Sequence, residues 1–253
     1  MSDVISADLK SLLRHLKLSP MLMTLPERME LARKDDTPYQ EFLETIFSDE
    51  VERRSQLSTQ LRARRAKLDL DMRLETWDSS AKITYDRKLW SELISMRFVE
   101  SHHNVVILGP VGVGKTHLAS TLGHVGCRRG MNVVMGRTER LLKELKAARL
   151  DNTYDRELRR LVSTDILILD DFALDTMDPT ESRDIYEVIL DRHQQRSTVI
   201  TSNRSPDEWL SVMADPLRAQ SAIDRLINNA YELVVEGESY RRNQKPTLEG
   251  GSS

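Results

Sequence analysis

Gly109-Pro110-Val111-Gly112-Val113-Gly114-Lys115-Thr116 fits G-x-x-x-x-G-K-[ST] in full. The chemistry of such a stretch is phosphate holding. Glycines let backbone N–H groups turn inward toward phosphate oxygens, and a following helix adds its N-terminal partial positive charge. Lys115 would reach the β- and γ-phosphates, and Thr116 would offer its hydroxyl to Mg²⁺. His117 follows directly and is counted with the nucleotide-binding residues. A second signal is Asp170-Asp171, two acids closing the apolar run Ile166-Leu167-Ile168-Leu169. Asp170 would orient Mg²⁺ or its water shell, and Asp171 would position and polarise the attacking water as general base. Asp171 is one methylene shorter than a Glu in that role, so the water must sit closer to the backbone.

A third signal is Asn203, which ends the run Ser197-Thr198-Val199-Ile200-Thr201-Ser202. Its amide could donate to the γ-phosphate or hold the lytic water; it could also simply open the turn into Arg204-Ser205-Pro206. A fourth is Asp224-Arg225-Leu226, on a helix expected over 219–229. Arg225 there could reach a neighbouring subunit's γ-phosphate as an arginine finger, with Arg218 as the rival, or pair with a nearby acid. A finger acting between subunits would make hydrolysis depend on a homo-oligomer.

These residues need elements to position them. Short apolar runs at 104–108, 132–135, 165–169, 197–202 and 231–235 alternate with helical stretches, as a parallel α/β sheet requires. Few polar residues interrupt them, which suits strands buried on both faces. The phosphate loop then falls between the first strand and a helix over 117–129. A helix over 86–99 precedes the first strand.

Residues 1–75 read as helices. Leu9, Leu12, Leu13 and Leu16 give the apolar stripe of a helix over 8–18. A second helix spans 21–32, a third apolar face follows Pro38 over 39–46, and a long polar helix covers 49–67. Arg62, Arg64 and Arg65 make the end of that helix basic, either as a solvated face or as a phosphate-contact surface. Trp77 either covers an adenine ring or anchors packing. The expected division is a helical domain at 1–75, an ATPase domain at 76–246 and a small polar tail at 247–253, expected to be flexible.

Composition sets bounds on function. The chain has 253 residues, enough for one or two domains with full cores. Cys127, the sole cysteine, excludes an internal disulfide and a cysteine-based zinc site and reads as buried filler. The net charge of −3 means that nucleic acid would have to be met by local basic patches. Without an apolar leader or a bilayer-length run, no membrane partner and a cytoplasmic location are expected.

In order along the chain, Gly-Lys-Thr-His-Leu-Ala, the Asp-Asp strand, Thr-Ser-Asn and Asp-Arg-Leu resemble the AAA+ ATPases. The ending Glu236-Gly237-Glu238-Ser239-Tyr240-Arg241 resembles the IstB-like branch, relatives of the helicase loader DnaC. The likeness covers nearly the whole chain. It implies an AAA+ P-loop core with a five-stranded parallel sheet behind N-terminal helices, and no C-terminal lid domain, since few residues follow the last strand. It implies ATP and Mg²⁺ as cofactors and subunits that assemble with ATP at their interfaces. It also implies duplex DNA bound with little sequence preference and recruitment of an IstA-type transposase. In that branch an insert after the second strand faces DNA. Here the insert is 137–161, with Arg137, Thr138, Arg140, Lys143 and Lys146 as its contact side, unless these are a solvated helix face. Arg241 would either supply charge near the phosphates or anchor the C-terminus. Two rival functions stay open: a helicase loader acting on single strands, and a nucleotide kinase, which the double acid and Asn203 disfavour.

Overall fold

Ser6 starts the first helix by accepting the Leu9 N–H in its side chain, and α1 runs Ala7–His15. The computed structural model describes residues 5–77 and 83–240. A 3-10 turn, Ser19–Met23, leads into α2, Leu25–Lys34. The single helix expected over 21–32 is therefore broken at Thr24. Pro26 lacks the N–H that a continuous helix would need there, and it sits instead in the first turn of α2. The two helices expected over 39–46 and 49–67 are one, α3, Tyr39–Arg65, which holds neither Gly nor Pro. Asp49 caps nothing; it takes both Nε and Nη2 of Arg28, at 2.7 and 3.1 Å.

The chain divides into two compact units, Met1–Gln60 and Leu61–Ser253. The boundary expected near residue 76 thus lies inside α3. Ala63, Ala66 and Leu68 explain why: all three are buried in the core of the second unit. The first unit packs Ile5, Leu13, Met21 and Leu25 against Phe42 and Ile46.

In the second unit, β1 is Ile83–Thr84 and α4 is Arg87–Ile94, capped by the Asp86 carboxylate at the Lys88 and Leu89 N–H groups. The helix expected over 86–99 breaks at Met96, whose φ of 59° lies in the left-handed region; α5, Arg97–Glu100, follows. Then come β2 (Asn104–Leu108), α6 (Lys115–Arg128), β3 (Val133–Arg137), α7 (Thr138–Ala148) and α8 (Tyr154–Ser163). β4 (Ile166–Asp170), α9 (Pro179–Arg192), β5 (Ser197–Ser202), α10 (Pro206–Trp209), α11 (Pro216–Ile227), β6 (Ala230–Val234) and β7 (Glu236–Gly237) complete it.

β2 to β6 form the five-stranded parallel sheet in the order β3-β4-β5-β2-β6, and β1 pairs antiparallel with β7 apart from it. Alternation along the strands sends Val105, Ile107, Ile166 and Ile168 into one core, beneath Leu118 and Leu122 of α6. Val106, Leu167, Leu169 and Ile200 enter the other, with Leu141, Leu145, Ile185 and Ile223. This order sets β4, β5 and β2 side by side, so their carboxyl ends open on one crevice.

Candidate nucleotide-binding site

Three strand ends supply the site. β2 runs out at Leu108 into the phosphate loop, and α6 begins at Lys115 with its N-terminus toward that loop. Gly109 can only be glycine, because a Cβ there would lie 2.1 Å from the Val235 carbonyl oxygen. Lys115 is 6% exposed. Its ammonium donates to the Gly109 and Pro110 carbonyls, both at 2.8 Å, and to Asn203 Oδ1 at 2.5 Å. Val113 is buried in the core below the loop, while Pro110 and Val111 are exposed at its tip.

β4 ends at Asp170. Its Oδ1 accepts from Thr116 Oγ1 at 2.9 Å and from Thr201 Oγ1 at 2.6 Å. Thr201 Oγ1 in turn accepts the Asp171 N–H at 3.0 Å. That bond helps hold Asp171 at φ 52°, a conformation uncommon for a residue with a side chain. Burial pushes the Asp170 carboxyl above its ordinary range, with the Asp171 charge acting the same way and the Thr201 hydroxyl opposing. A buried carboxylate beside a hydroxyl is a hard oxygen set. It fits Mg²⁺, which takes one or two protein oxygens, keeps waters and shares phosphate oxygens.

The structure thus brings Gly109 to Thr116, Asp170, Asp171 and Asn203 to one edge. Thr201 joins them, a residue that motif reading passed over. Its signal was its place two residues before Asn203, near the carboxyl end of β5. His117 does not join. Its Nε2 lies 2.9 Å from the Arg73 carbonyl oxygen, and its ring stacks edge-on to Trp77, so it braces packing instead of facing phosphate. Trp77 itself packs against Gly114 and Tyr85. Arg241 lies outside the described residues.

The insert is placed by β3. Arg137 pairs in register with Asp170, and its Nε lies 3.8 Å from Asp171 Oδ2 with the side chain 73% exposed. Thr138 is 2% exposed and gives its hydroxyl to the Asp170 carbonyl at 3.0 Å, so it is not the surface contact expected of it. Arg140, Lys143 and Lys146 are exposed and engage Glu144, Glu139 and Asp178. Of the basic helix end, Arg64 and Arg65 are exposed, whereas Arg62 is half-buried and donates to the Cys127 carbonyl at 2.9 Å. Arg225 donates to the Ser221 carbonyl and hydroxyl within α11, and Arg218 pairs with Asp215 at 3.4 Å.

A phosphate loop, an acid-ended inner strand and, beside it, a strand followed by Asn on this sheet define an AAA+ ATPase. Two solved structures share the fold. The DnaC helicase loader aligns at a TM-score of 0.56 and 20% identity, over 66% of this chain and 97% of its own. AMPPCP-bound DnaA from Aquifex aeolicus aligns at 0.54 and 20% identity, over 65% of this chain and half the length of that one. Residues 11–247 match the family described as IstB-like ATP binding protein, and the chain belongs to it. Among its relatives is a putative ATP-binding protein of an insertion sequence in Mycobacterium tuberculosis, 36% identical over 94% of this chain and 95% of the relative. A putative ATP-binding protein of insertion sequence IS21 in Pseudomonas aeruginosa is 33% identical over 94% of this chain and 90% of the relative.

Proposed function

We propose that the protein is an ATP-dependent regulator of transposition that assembles on duplex target DNA, deforms it, and recruits and stimulates an IstA-type transposase. Hydrolysis then dismantles the assembly. One observation carries the link between nucleotide and DNA. Arg137 stands beside the Asp171 carboxylate and also opens α7, whose outward Arg140, Lys143 and Lys146 are exposed. The ion pairs these cations make are solvent-exposed and worth little, so phosphates can replace the carboxylates. The names of the insertion-sequence relatives support the transposition setting.

In the reaction, the loop amides and the Lys115 ammonium hold the β- and γ-phosphates. Thr116 and Asp170 would hold Mg²⁺, which would supply positive charge against that developing on the phosphates. Asn203 places a water in line with the γ-phosphorus. An Asp171 carboxylate oxygen takes the proton as that water bonds to phosphorus and the bond to ADP breaks. Arg225 of a neighbouring subunit completes the site from outside. The N-terminal helices serve oligomer, DNA or partner contact, with Arg64 and Arg65 adding phosphate contacts. The working location is the cytoplasm; among the described residues, no helix is long and apolar enough to cross a membrane.

The test is binding to duplex and single-stranded DNA with ATP or a slowly hydrolysed analogue, viewed by particle imaging. Ordered assemblies on duplex, lost in Lys115→Ala, are expected. Preference for single strands without assembly on duplex would favour a helicase loader, as the structural neighbour DnaC is.

A further inference from the structure

Beyond its last sheet strand the chain does not leave the site. The Val235 N–H donates to the Leu108 carbonyl at 2.7 Å, and the Val235 carbonyl closes over Gly109. β7 then turns the chain by pairing Glu236 with Thr84 and Gly237 with Ile83. Ser239 comes down on Gly112: a Cβ at 112 would sit 2.2 Å from Ser239 Oγ and 3.2 Å from Ser239 Cα. The Tyr240 N–H donates to the Gly112 carbonyl at 2.9 Å. The phosphate loop is therefore touched at its first glycine and at its middle by one short segment, 235–240.

The contact at Gly112 has a directional effect. In a trans peptide the C=O and the next N–H point to opposite sides. Gly112 has φ 89°, and nothing intrinsic to glycine fixes its peptide plane. Tying the Gly112 oxygen to Tyr240 turns the Val113 N–H to the other side of the loop, where a phosphate-holding loop needs donors. We infer that the main-chain N–H of Tyr240 is a positioning group for ATP: it fixes the peptide between Gly112 and Val113, so the loop meets the phosphates already oriented. This deepens the ATP-site reading and rests on it. Preorganised donors bind more tightly because they are not ordered at the moment of binding. The phosphate loop thus has a support that is absent from its own motif, and the Ser239-Tyr240 pair gains a function.

The experiment compares full-length Tyr240→Pro, which lacks the N–H, with Tyr240→Ala, which keeps it. A fluorescent ATP analogue gives Kd, and steady-state hydrolysis gives KM and kcat. Tyr240→Pro should weaken Kd and raise KM about 10-fold, the loss expected for one oriented hydrogen bond. Its kcat at saturating ATP should stay within about two-fold, because Lys115, Thr116 and Asp171 are untouched. Tyr240→Ala should match the unsubstituted protein. Equal Kd in the two variants, or a fall in kcat alone, overturns the inference. Amide hydrogen exchange on the unsubstituted protein tests it without a proline. The Tyr240 amide should exchange slowly, and more slowly with the analogue bound; fast exchange in both states overturns the inference. If the unsubstituted protein fails to bind the analogue, it is the ATP site itself that has been misread.

Discussion

One threonine hydroxyl joins two carboxylates for which different tasks are proposed. Thr201 donates to Asp170, which Thr116 also engages, and accepts the N–H of Asp171. The acid proposed for the cation is thereby fixed from two sides. The acid proposed for the proton is fixed through its backbone, leaving its side chain to face Arg137. Asp171→Asn keeps that backbone bond and the shape of the side chain but removes the proton acceptor. It should bind ATP and DNA at near unsubstituted affinity, hydrolyse about 100-fold more slowly or worse, and persist on DNA. Single-turnover hydrolysis read beside nucleotide affinity checks this. Hydrolysis at the unsubstituted rate would place the base elsewhere.

At the scale of elements, α3 carries a charge cluster that sets a pH dependence. Glu50 is buried, and both its oxygens are taken by Arg53, at 2.7 and 2.8 Å, with Arg54 adding a third bond. The Arg53 bonds hold its carboxyl down at about 2 against the opposing effect of burial. A depressed folded pKa stabilises above the ordinary carboxyl value, and that stability is lost as pH falls toward 2. The protection of amides over α1 to α3, taken relative to their intrinsic exchange rates, should therefore fall between about pH 4.5 and 2. Glu50→Gln should be less protected at pH 6 and converge with the unsubstituted chain near pH 2; parallel protection curves would contradict this. The sheet strands were legible because most are short runs rich in Val and Ile, and 104–108 and 197–202 match their observed ends. The helices were less so. Nothing in local pattern says that Met96 turns left-handed, and Pro26, which bars a continuous helix, does not say that a 3-10 turn precedes α2. The site was legible where a motif fixes spacing, as at Lys115 and Asp170. It was not where tertiary contact decides, as with Thr201, buried Thr138 and the turned-away His117. Arg192 is a similar case. It reads as a surface arginine, yet it is buried at the end of α9, donating to the Leu161, Val162, Thr164 and Ser197 carbonyls. There it closes the C-terminus of α8 against β5.

At the scale of the whole molecule, the proposed completion of the site by a neighbouring subunit would make activity a property of pairs. Lys115→Ala should keep its finger and lose its site; Arg225→Ala should keep its site and lose its finger. Each alone should hydrolyse ATP poorly, and an equal mixture should recover a clear fraction of activity through mixed pairs. A mixture no better than its parts would move the finger to another residue, with Arg218 next to be tried. Cys127 has a consequence of its own. It is fully buried on α6, the helix that begins at Lys115, and burial pushes its thiol up to about 11. A thiol so placed is chemically silent at neutral pH. Being the only sulfhydryl in the chain, it should work as a clock: a reagent in solution should mark it only when local opening uncovers it. Every ligand that favours the closed state therefore slows that clock. The protein carries, unlabelled and unaltered, a readout of how firmly nucleotide holds its core together.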